Sequence, residues 1–192
     1  MENSLDHDIA LRLKRLRKAR RLTLEALAEQ SGVSRAMISR IERGEASPTA
    51  ALLARLCSAL GQSLSVFFAD TGEAPPLTRR AEQPVWRDPE SGYLRRAVSP
   101  GHCRARMDLV EVEFPPGATV SFPPPNPGRG QWQYLWLFEG CMELQVADDL
   151  FRLEAGDCLY MNVADVRRFH NPGAQVARYA VVIDLGGVGN AT

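Results

Sequence analysis

The hydrophobic periodicity of this chain changes once along its length, and that change limits the folds open to it. Residues 9–69 repeat Leu, Ile and Ala at the spacing of amphipathic helices, with Pro48 as their one proline. Residues 93–185 alternate apolar and polar positions, interrupted by Pro, Gly and Asn, as short strands do. Residues 70–92 are polar and rich in proline. The pattern predicts an all-α domain over 9–69, a linker over 70–92 and an all-β domain over 93–185.

The charge is divided unevenly between the two domains. The net charge of the whole chain is zero, but residues 9–69 contain 11 Lys or Arg and 4 Asp or Glu. An excess of positive charge confined to one domain is typical of a segment that binds a polyanion. The charge pattern therefore predicts a nucleic-acid partner for the helical domain.

The chain shows no sign of secretion or membrane insertion. No apolar run at the N-terminus resembles a signal peptide, and no segment approaches 18 consecutive apolar residues. The four cysteines form no C-x-x-C pair, and no histidine lies at zinc-ligand spacing from them. We therefore expect a cytoplasmic protein with reduced thiols and no membrane partner.

Capping residues divide the helical domain into five predicted helices. Thr23 and Ser34 are good N-caps for the second and third helices, and Gly32 suits the turn between them. Ser47 and Pro48 are expected to cap and begin the fourth helix. The five helices are predicted at 9–20, 24–30, 35–43, 48–60 and around 64–68.

The third predicted helix has one apolar and one basic face. At about 100° per residue, the outward face collects Arg35, Ala36, Ser39, Arg40 and Arg43. The opposite face collects Met37, Ile38 and Ile41. A guanidinium group can bond guanine bidentately or grip a phosphate, and a small residue such as Ala36 lets a helix approach the groove floor.

The stretch from Thr23 to Gly44, TLEALAEQSGVSRAMISRIERG, continued by Ser47-Pro48-Thr49, resembles the helix-turn-helix of the phage repressor and Cro class. This class is the xenobiotic-response-element family of bacterial regulators, and the resemblance covers about residues 9–69. It implies that base edges face Ser34, Arg35, Ala36, Ser39 and Arg40. It implies phosphate contacts from Thr23, Arg43, Ser47 and Thr49. The expected partner is a double-stranded DNA operator bound by a homodimer.

Seven strands are predicted in the second domain, with short turns between them: 94–98, 104–114, 132–138, 142–146, 158–161, 167–170 and 176–184. A series this long must close or form a second sheet to protect its edges. The domain resembles the cupin family, a double-stranded β-helix barrel, over about residues 103–185. The resemblance rests on Pro116-Gly117-Ala118, Leu137-Phe138-Glu139-Gly140, Leu153-Glu154-Ala155-Gly156-Asp157 and Phe169-x-Asn171.

The cupin metal ligands have no counterpart in this sequence. Gln133 stands at the Glu position of the first motif, the loop 126–129 contains no His, and Arg167 stands at the His position of the second motif. An amide and a guanidinium do not form a transition-metal site. We therefore expect no metal, no cofactor and no catalysis, and we expect His170 to be structural or exposed.

A cavity that binds a small effector is the expected alternative use of the barrel. Its predicted lining is Gln133, Arg167, Phe169 and Tyr160, with Trp132, Tyr134 and Trp136 as further aromatic candidates. A buried Arg167 needs an anionic partner. That partner is either a carboxylate of the protein or a carboxylate of the effector, and the sequence leaves both open.

Three functions compete at this point. The first is a DNA-binding transcriptional regulator that senses a small molecule with carboxylate character. The second is a cupin-type enzyme, a metal-dependent oxygenase or isomerase, with an attached DNA-binding domain. The third is a thiol redox regulator in which Cys141 and Cys158 pair. The basic face of the third helix favours the first.

Overall fold

A computed structural model describes residues 3–61, 64–68, 76–100, 107–122 and 132–184. The N-terminal domain contains four helices of eight or more residues: α1 (Asn3–Ala19), α2 (Leu24–Ser31), α3 (Arg35–Glu42) and α4 (Ala50–Ala59). A five-residue helical turn, α5 (Leu64–Phe68), follows them. The fifth predicted helix is thus a single turn. No helix in the described ranges combines the length and apolar composition needed to cross a membrane.

Side-chain caps set the helix boundaries. Thr23 and Ser34 accept hydrogen bonds from the Ala26 and Met37 amides at 3.1 and 3.2 Å, as predicted. The fourth helix departs from the prediction: it begins at Ala50, and Thr49 is its cap, with the Leu52 amide 3.3 Å from the hydroxyl. Pro48 lies before the helix and is buried.

Two antiparallel sheets form the second domain. The large sheet has the order β1 (Val85–Arg87), β2 (Leu94–Ala97), β3 (Met107–Phe114), β10 (Ala177–Asp184), β5 (Trp132–Glu139) and β8 (Cys158–Asn162). The small sheet has the order β4 (Thr119–Ser121), β9 (Val166–His170), β6 (Cys141–Val146) and β7 (Asp149–Glu154). Residues such as Val110, Leu135 and Leu144 on the buried faces form the core between them.

The small sheet ends in a turn that one amide side chain organises. Asn171 is fully buried and follows β9 directly. Its Nδ2 donates to the carbonyls of Phe114 and Gln175 at 3.0 and 2.8 Å, and its Oδ1 accepts the Gly173 amide at 2.9 Å. His170 beside it contacts Thr119 Oγ1 at 2.9 Å through Nδ1. Both residues therefore serve the fold, as expected for His170.

The sequence pattern does not predict three of the ten strands found in the described ranges: β1, β4 and β7. The first of them lies inside the segment predicted as a linker, and its Trp86 is buried because the indole packs on Phe68 and Tyr93. The linker residues 70–75, the loop 126–129 and the predicted strand positions 104–106 lie outside the described residues.

The two domains are joined by buried contacts around Asp88. This residue is 2% exposed, and its Oδ1 accepts the amide of Ala50, the first residue of α4, at 2.7 Å. The Phe68 and Trp86 rings meet at 5.6 Å, and the guanidinium of Arg95 lies 4.8 Å from the Phe68 ring centre. Burial lowers the pKa of Arg95. These contacts fix the end of the helical domain onto β1 and β2.

Candidate nucleic-acid interface

The third helix presents its basic side to solvent. Ile38 and Ile41 are buried in the domain core, and Met37 packs against it. Ser34, Arg35, Ala36, Arg40 and Arg43 are exposed, and Ser39 is half-buried. The buried apolar face and the exposed basic face are those that the helical wheel predicts. A helix on the surface of a domain buries only one of its sides.

A buried ion pair holds α3 against α1. Arg17 Nε and Nη2 donate to the two carboxylate oxygens of Glu42, at 2.6 and 2.8 Å, and Nη1 donates to the Leu22 carbonyl at 2.8 Å. The side chains are 11% and 6% exposed. The hydrogen bond to Glu42 raises the pKa of Arg17. This bidentate pair fixes the C-terminal end of α3.

The turn between α2 and α3 is fixed by a glycine and an arginine. Gly32 has φ +64°, a left-handed conformation, and its amide donates to the Ala28 carbonyl at 2.9 Å. Arg55 of α4 donates to the carbonyls of Ser31 and Gly32, the first at 3.0 Å. The angle between the two helices is therefore held by side-chain bonds from a third helix.

Two of the three arginines on the basic face have acidic neighbours. Arg35 Nε lies 2.5 Å from Glu25, and Arg43 Nε lies 2.6 Å from Glu45 and also bonds Ser39. A backbone hydrogen bond, helped by the charge of Arg35, lowers the pKa of Glu25. These pairs are half exposed or more, and exposed pairs are weak, so DNA phosphates can replace the carboxylates. Within the described residues, Arg40 has no salt-bridge partner.

Three of the four residues predicted to touch phosphates are helix caps: Thr23 of α2, Arg43 of α3 and Thr49 of α4. Thr23 and Ser47 are exposed, and Thr49 is half-buried. The hydroxyls of Thr23 and Thr49 already cap helices. Each still has a second lone pair and a proton, so a cap can also contact a phosphate. Apart from Ser39 and Thr49, which are half-buried, all members of the predicted base-facing and phosphate-facing sets are exposed. That the two sets form one DNA-contacting surface stays a prediction.

The residues predicted to bind an effector do not share one surface. Gln133 is buried on the inner face of β5 with Leu135, as predicted. Tyr160 pairs in register with Tyr134, not with Gln133, and is 52% exposed on the outer face. The prediction that Tyr160 lines the cavity is wrong, because adjacent positions of paired strands point to opposite faces. Trp132, Tyr134 and Trp136 lie on the outer face too.

Arg167 occupies a β-bulge, where the register between β6 and β9 shifts. It is half-buried, and its Nη1 donates to the Ala164 carbonyl at 3.0 Å. The two partners weighed from sequence were carboxylates, and the partner in the structure is a backbone carbonyl. Phe169, two residues on, is half-buried and packs edge-on against Phe122 with ring centres 5.9 Å apart.

The remaining candidate chemistry is metal binding and thiol pairing. In the described part of the chain, no group of three or more His, Cys, Asp or Glu is placed to hold a metal ion. Cys141 and Cys158 are both free and belong to different sheets, with Cys158 exposed on the outer face. Their placement gives no support to a disulfide between them.

Comparisons with known proteins agree with this geometry. Residues 13–67 match the helix-turn-helix family HTH_3. The chain is 26% identical over 183 residues to the HTH-type transcriptional regulator SutR of Escherichia coli (strain K12), covering 95% of this chain and 97% of SutR. It is 25% identical over 169 residues to the HTH-type transcriptional regulator PuuR of the same organism, covering 87% and 89%.

A solved structure is similar over both domains. The crystal structure of an HTH_3 family transcriptional regulator from Vibrio cholerae superposes with a TM-score of 0.74 at 26% identity, covering 97% of this chain and 99% of that one. Residues 13–67 are therefore a helix-turn-helix domain, within a chain that is similar from end to end to HTH-type transcriptional regulators.

Proposed function

We propose that this protein is a sequence-specific DNA-binding transcriptional regulator whose sheet domain is a cupin-like sensor. The observation that carries the proposal is the exposed basic face of α3, held in place by Arg17 and Glu42 behind it. In helix-turn-helix proteins the second helix of the motif enters the major groove. The similarity to named transcriptional regulators supports the same use of this helix.

The base-reading group is Ser34, Arg35, Ala36, Ser39 and Arg40, and the phosphate group is Thr23, Arg43, Ser47 and Thr49. Arg40 is the strongest candidate for base readout, because it is exposed and forms no salt bridge within the described residues. The operator is bound by a homodimer with half-sites about 34 Å apart, one turn of DNA.

The experiment starts from a random-sequence DNA library, because the operator has to be found first. The full chain is expected to enrich a two-fold symmetric site. Arg40→Ala should weaken binding to that site by about 1–3 kcal/mol, with the loss concentrated at one base pair. Arg152→Ala, on the sheet domain and 77% exposed, is the matched control and should leave binding unchanged.

Two results would count against this reading. If no sequence is enriched, sequence-specific binding is contradicted. If Arg40→Ala lowers only the slope of affinity against salt, equally for all sequences, then Arg40 contacts a phosphate and does not read a base.

The proposed effector is a small molecule with a carboxylate group, bound inside the sheet domain near Gln133, Arg167 and Phe169. Arg167 supports this because the residue is half-buried and its Nη1 bonds a neutral carbonyl, with no salt bridge to a carboxylate among the described residues. A ligand carboxylate would supply the missing anion. For effector binding to change DNA binding, the effector must bind one arrangement of the dimer more tightly than another.

A thermal-shift screen of amino acids and related carboxylates tests this part separately. A binder stabilises the native state according to its occupancy. The shift is expected to vanish in Arg167→Ala and to persist in Arg168→Ala, whose neighbouring side chain is exposed. A carboxylate that stabilises the Arg167→Ala protein as much as the unaltered protein would contradict the proposed anchor.

A further inference from the structure

The outer face of the large sheet carries a dense group of exposed aromatic side chains. We call this group the aromatic face: Trp132, Tyr134, Trp136 and Phe138 of β5 and Tyr160 of β8. Each is between 40% and 52% exposed. Alternate positions of β5 point outward, so one strand alone supplies four of the five rings. The inner positions Gln133, Leu135 and Leu137 are buried, so the core does not need these rings.

The strand register makes the aromatic face continuous with apolar residues on two further strands. One row crosses four strands through Leu109, Val182, Tyr134 and Tyr160. Leu109 is 37% exposed, and Met107 beside it on β3 is 52% exposed. Residues directly opposite each other on paired strands lie side by side on the same face. The apolar surface is therefore one patch rather than a scatter of single residues.

The rings are held in place by one another. Trp132 stacks on Tyr160 with centres 4.9 Å apart, Tyr134 lies 4.7 Å from Tyr160, and Trp136 meets Phe138 at 4.9 Å. Side chains that are ordered before association lose little entropy when a partner covers them. The aromatic face is thus organised for contact without further rearrangement.

The area of the patch fits a protein interface. A large aromatic side chain offers about 150–250 Å², so five half-exposed rings with Met107 and Leu109 leave about 600 Å² of apolar surface open. The largest patch on an ordinary monomer is about 300–600 Å². A standard interface buries about 800 Å² on each partner, of which the rim is polar. The patch is the size of an interface core.

The charges beside the patch suit a second copy of the same chain. Arg178 of β10 bonds Glu139 of β5 and Glu111 of β3, at 3.2 and 2.9 Å, along one edge of the aromatic face. The rim therefore offers both signs of charge. In a two-fold symmetric contact the same rim residues of both copies face each other in opposite directions. A rim with both positive and negative groups can therefore place opposite charges together. A rim of one sign would repel its copy.

We propose that the aromatic face is the surface through which two copies of this chain form a homodimer, with Trp136 near its centre. The choice of a second copy as the occupant rests partly on the proposed function, since a helix-turn-helix protein binds a symmetric operator as a dimer. The interface is isologous, and it joins the large sheets of the two copies face to face.

Sedimentation equilibrium of the full chain, without DNA, tests the proposal over a wide range of concentration. The unaltered protein should have the mass of two chains. Trp136→Asp should raise the dimer dissociation constant about 30-fold or more, as expected for an aromatic residue at the centre of an interface. Leu150→Asp is the matched control, because Leu150 is 45% exposed on β7 of the other sheet, and it should remain a dimer.

A second measurement uses the unaltered chain and does not depend on how a variant folds. Cys158 pairs in register with Trp136 and is exposed on the same face. Its labelling by a thiol reagent, followed by mass spectrometry of the peptide, should be slow at high protein concentration and fast on dilution. Concentration-independent labelling, a one-chain mass for the unaltered protein, or a folded Trp136→Asp dimer of unchanged stability would each overturn the proposal.

The two proposals can fail separately. A dimer through the aromatic face that enriches no DNA sequence would remove only the proposed function. An enriched operator bound by a protein that stays dimeric with Trp136→Asp would remove only this interface. If both hold, Trp136→Asp should bind a single half-site like the unaltered protein and lose affinity for the complete operator.

Discussion

Among individual residues, Glu42 has the greatest influence on the position of α3. Replacing it by Gln leaves the buried Arg17 guanidinium without an opposite charge. Breaking one side of a buried pair costs about 3–5 kcal/mol. We expect Glu42→Gln to lower the free energy of unfolding by that amount, measured by urea denaturation followed by helical circular dichroism.

The control for this prediction removes both charges. Arg17→Met combined with Glu42→Leu should recover much of the lost stability, because no uncompensated charge stays in the interior. An exposed ion pair contributes up to about 1 kcal/mol. If Glu42→Gln lowers the free energy of unfolding by less than that, the ion pair between Arg17 and Glu42 does not hold α3.

Residue patterns predicted the orientation of α3 correctly and the faces of the aromatic strand residues incorrectly. The basic side of α3 could be read from sequence because Ile38 and Ile41 are apolar and Arg35, Arg40 and Arg43 are charged, which leaves one way to orient the helix. In β5 both sets of alternating positions are apolar. The alternation of side chains along a strand tells which residues share a face. When the residues on both faces are apolar, it does not tell which face is buried. Tyr160 of β8 could not be placed from its own strand, because its face follows from the register with β5, which pairs it with Tyr134 and not with Gln133.

At the scale of elements, the turn between β5 and β6 depends on Gly140. This residue has φ +80°, and a Cβ there would lie 2.9 Å from Ala177 Cα and 3.1 Å from the Val176 carbonyl oxygen. Backbone atoms in a sheet cannot move aside easily. We expect Gly140→Ala to lower the free energy of unfolding by about 2–4 kcal/mol, from a left-handed backbone and a steric clash together.

Gly117→Ala separates these two causes. Gly117 has φ +69°, and nothing lies within 4 Å of a Cβ built there. This variant should therefore suffer only the backbone cost of about 1–2 kcal/mol. The two free energies of unfolding are measured by chemical denaturation. If Gly140→Ala and Gly117→Ala lower them equally, the contact with β10 is not the reason for glycine at position 140.

Three strands and the start of one helix were not predicted from sequence, and each has a physical reason. β1 and β4 have three residues each, too few to display alternation, and prolines stand beside both. β7 is an edge strand in which the apolar residues Leu150, Phe151 and Leu153 do not alternate with polar ones, so no period of two marks it. The predicted start of α4 was two residues early because Ser47-Pro48 and Thr49 are competing local start signals. The structure uses the Thr49 cap, and Asp88, 38 residues away, binds the amide of Ala50. Longer helices and strands, with one clearly buried side, followed their patterns closely.

For the whole molecule, Asp88 is expected to couple the unfolding of the two domains. Its carboxylate bonds the Ala50 amide at the positive end of α4 and also the Ser91 amide at 2.8 Å. Asp88→Ala would leave a buried amide unsatisfied, at a cost of about 1–3 kcal/mol. We expect the unaltered chain to unfold in one urea transition and Asp88→Ala to unfold in two, followed by circular dichroism for the helices and tryptophan fluorescence for the sheets.

Asp88→Asn is the matched variant, since its amide oxygen can still accept from Ala50. It should retain a single transition at slightly lower urea concentration. Two transitions already present in the unaltered protein would mean that the domains are energetically independent despite their contacts.

The contacts between the two domains around Asp88 also determine where the helical domain could be separated from the sheet domain in a chimeric protein. The helical half does not end where its last helix ends, since Phe68 and the first turn of α4 are completed by Trp86, Asp88 and Arg95. A chimera spliced after residue 69 would expose the Phe68 ring to water and leave the Ala50 amide without its acceptor Asp88. A donor fragment meant to carry the helix-turn-helix domain onto another protein should therefore include the hairpin through residue 97, and the recipient should lose its own equivalent strands.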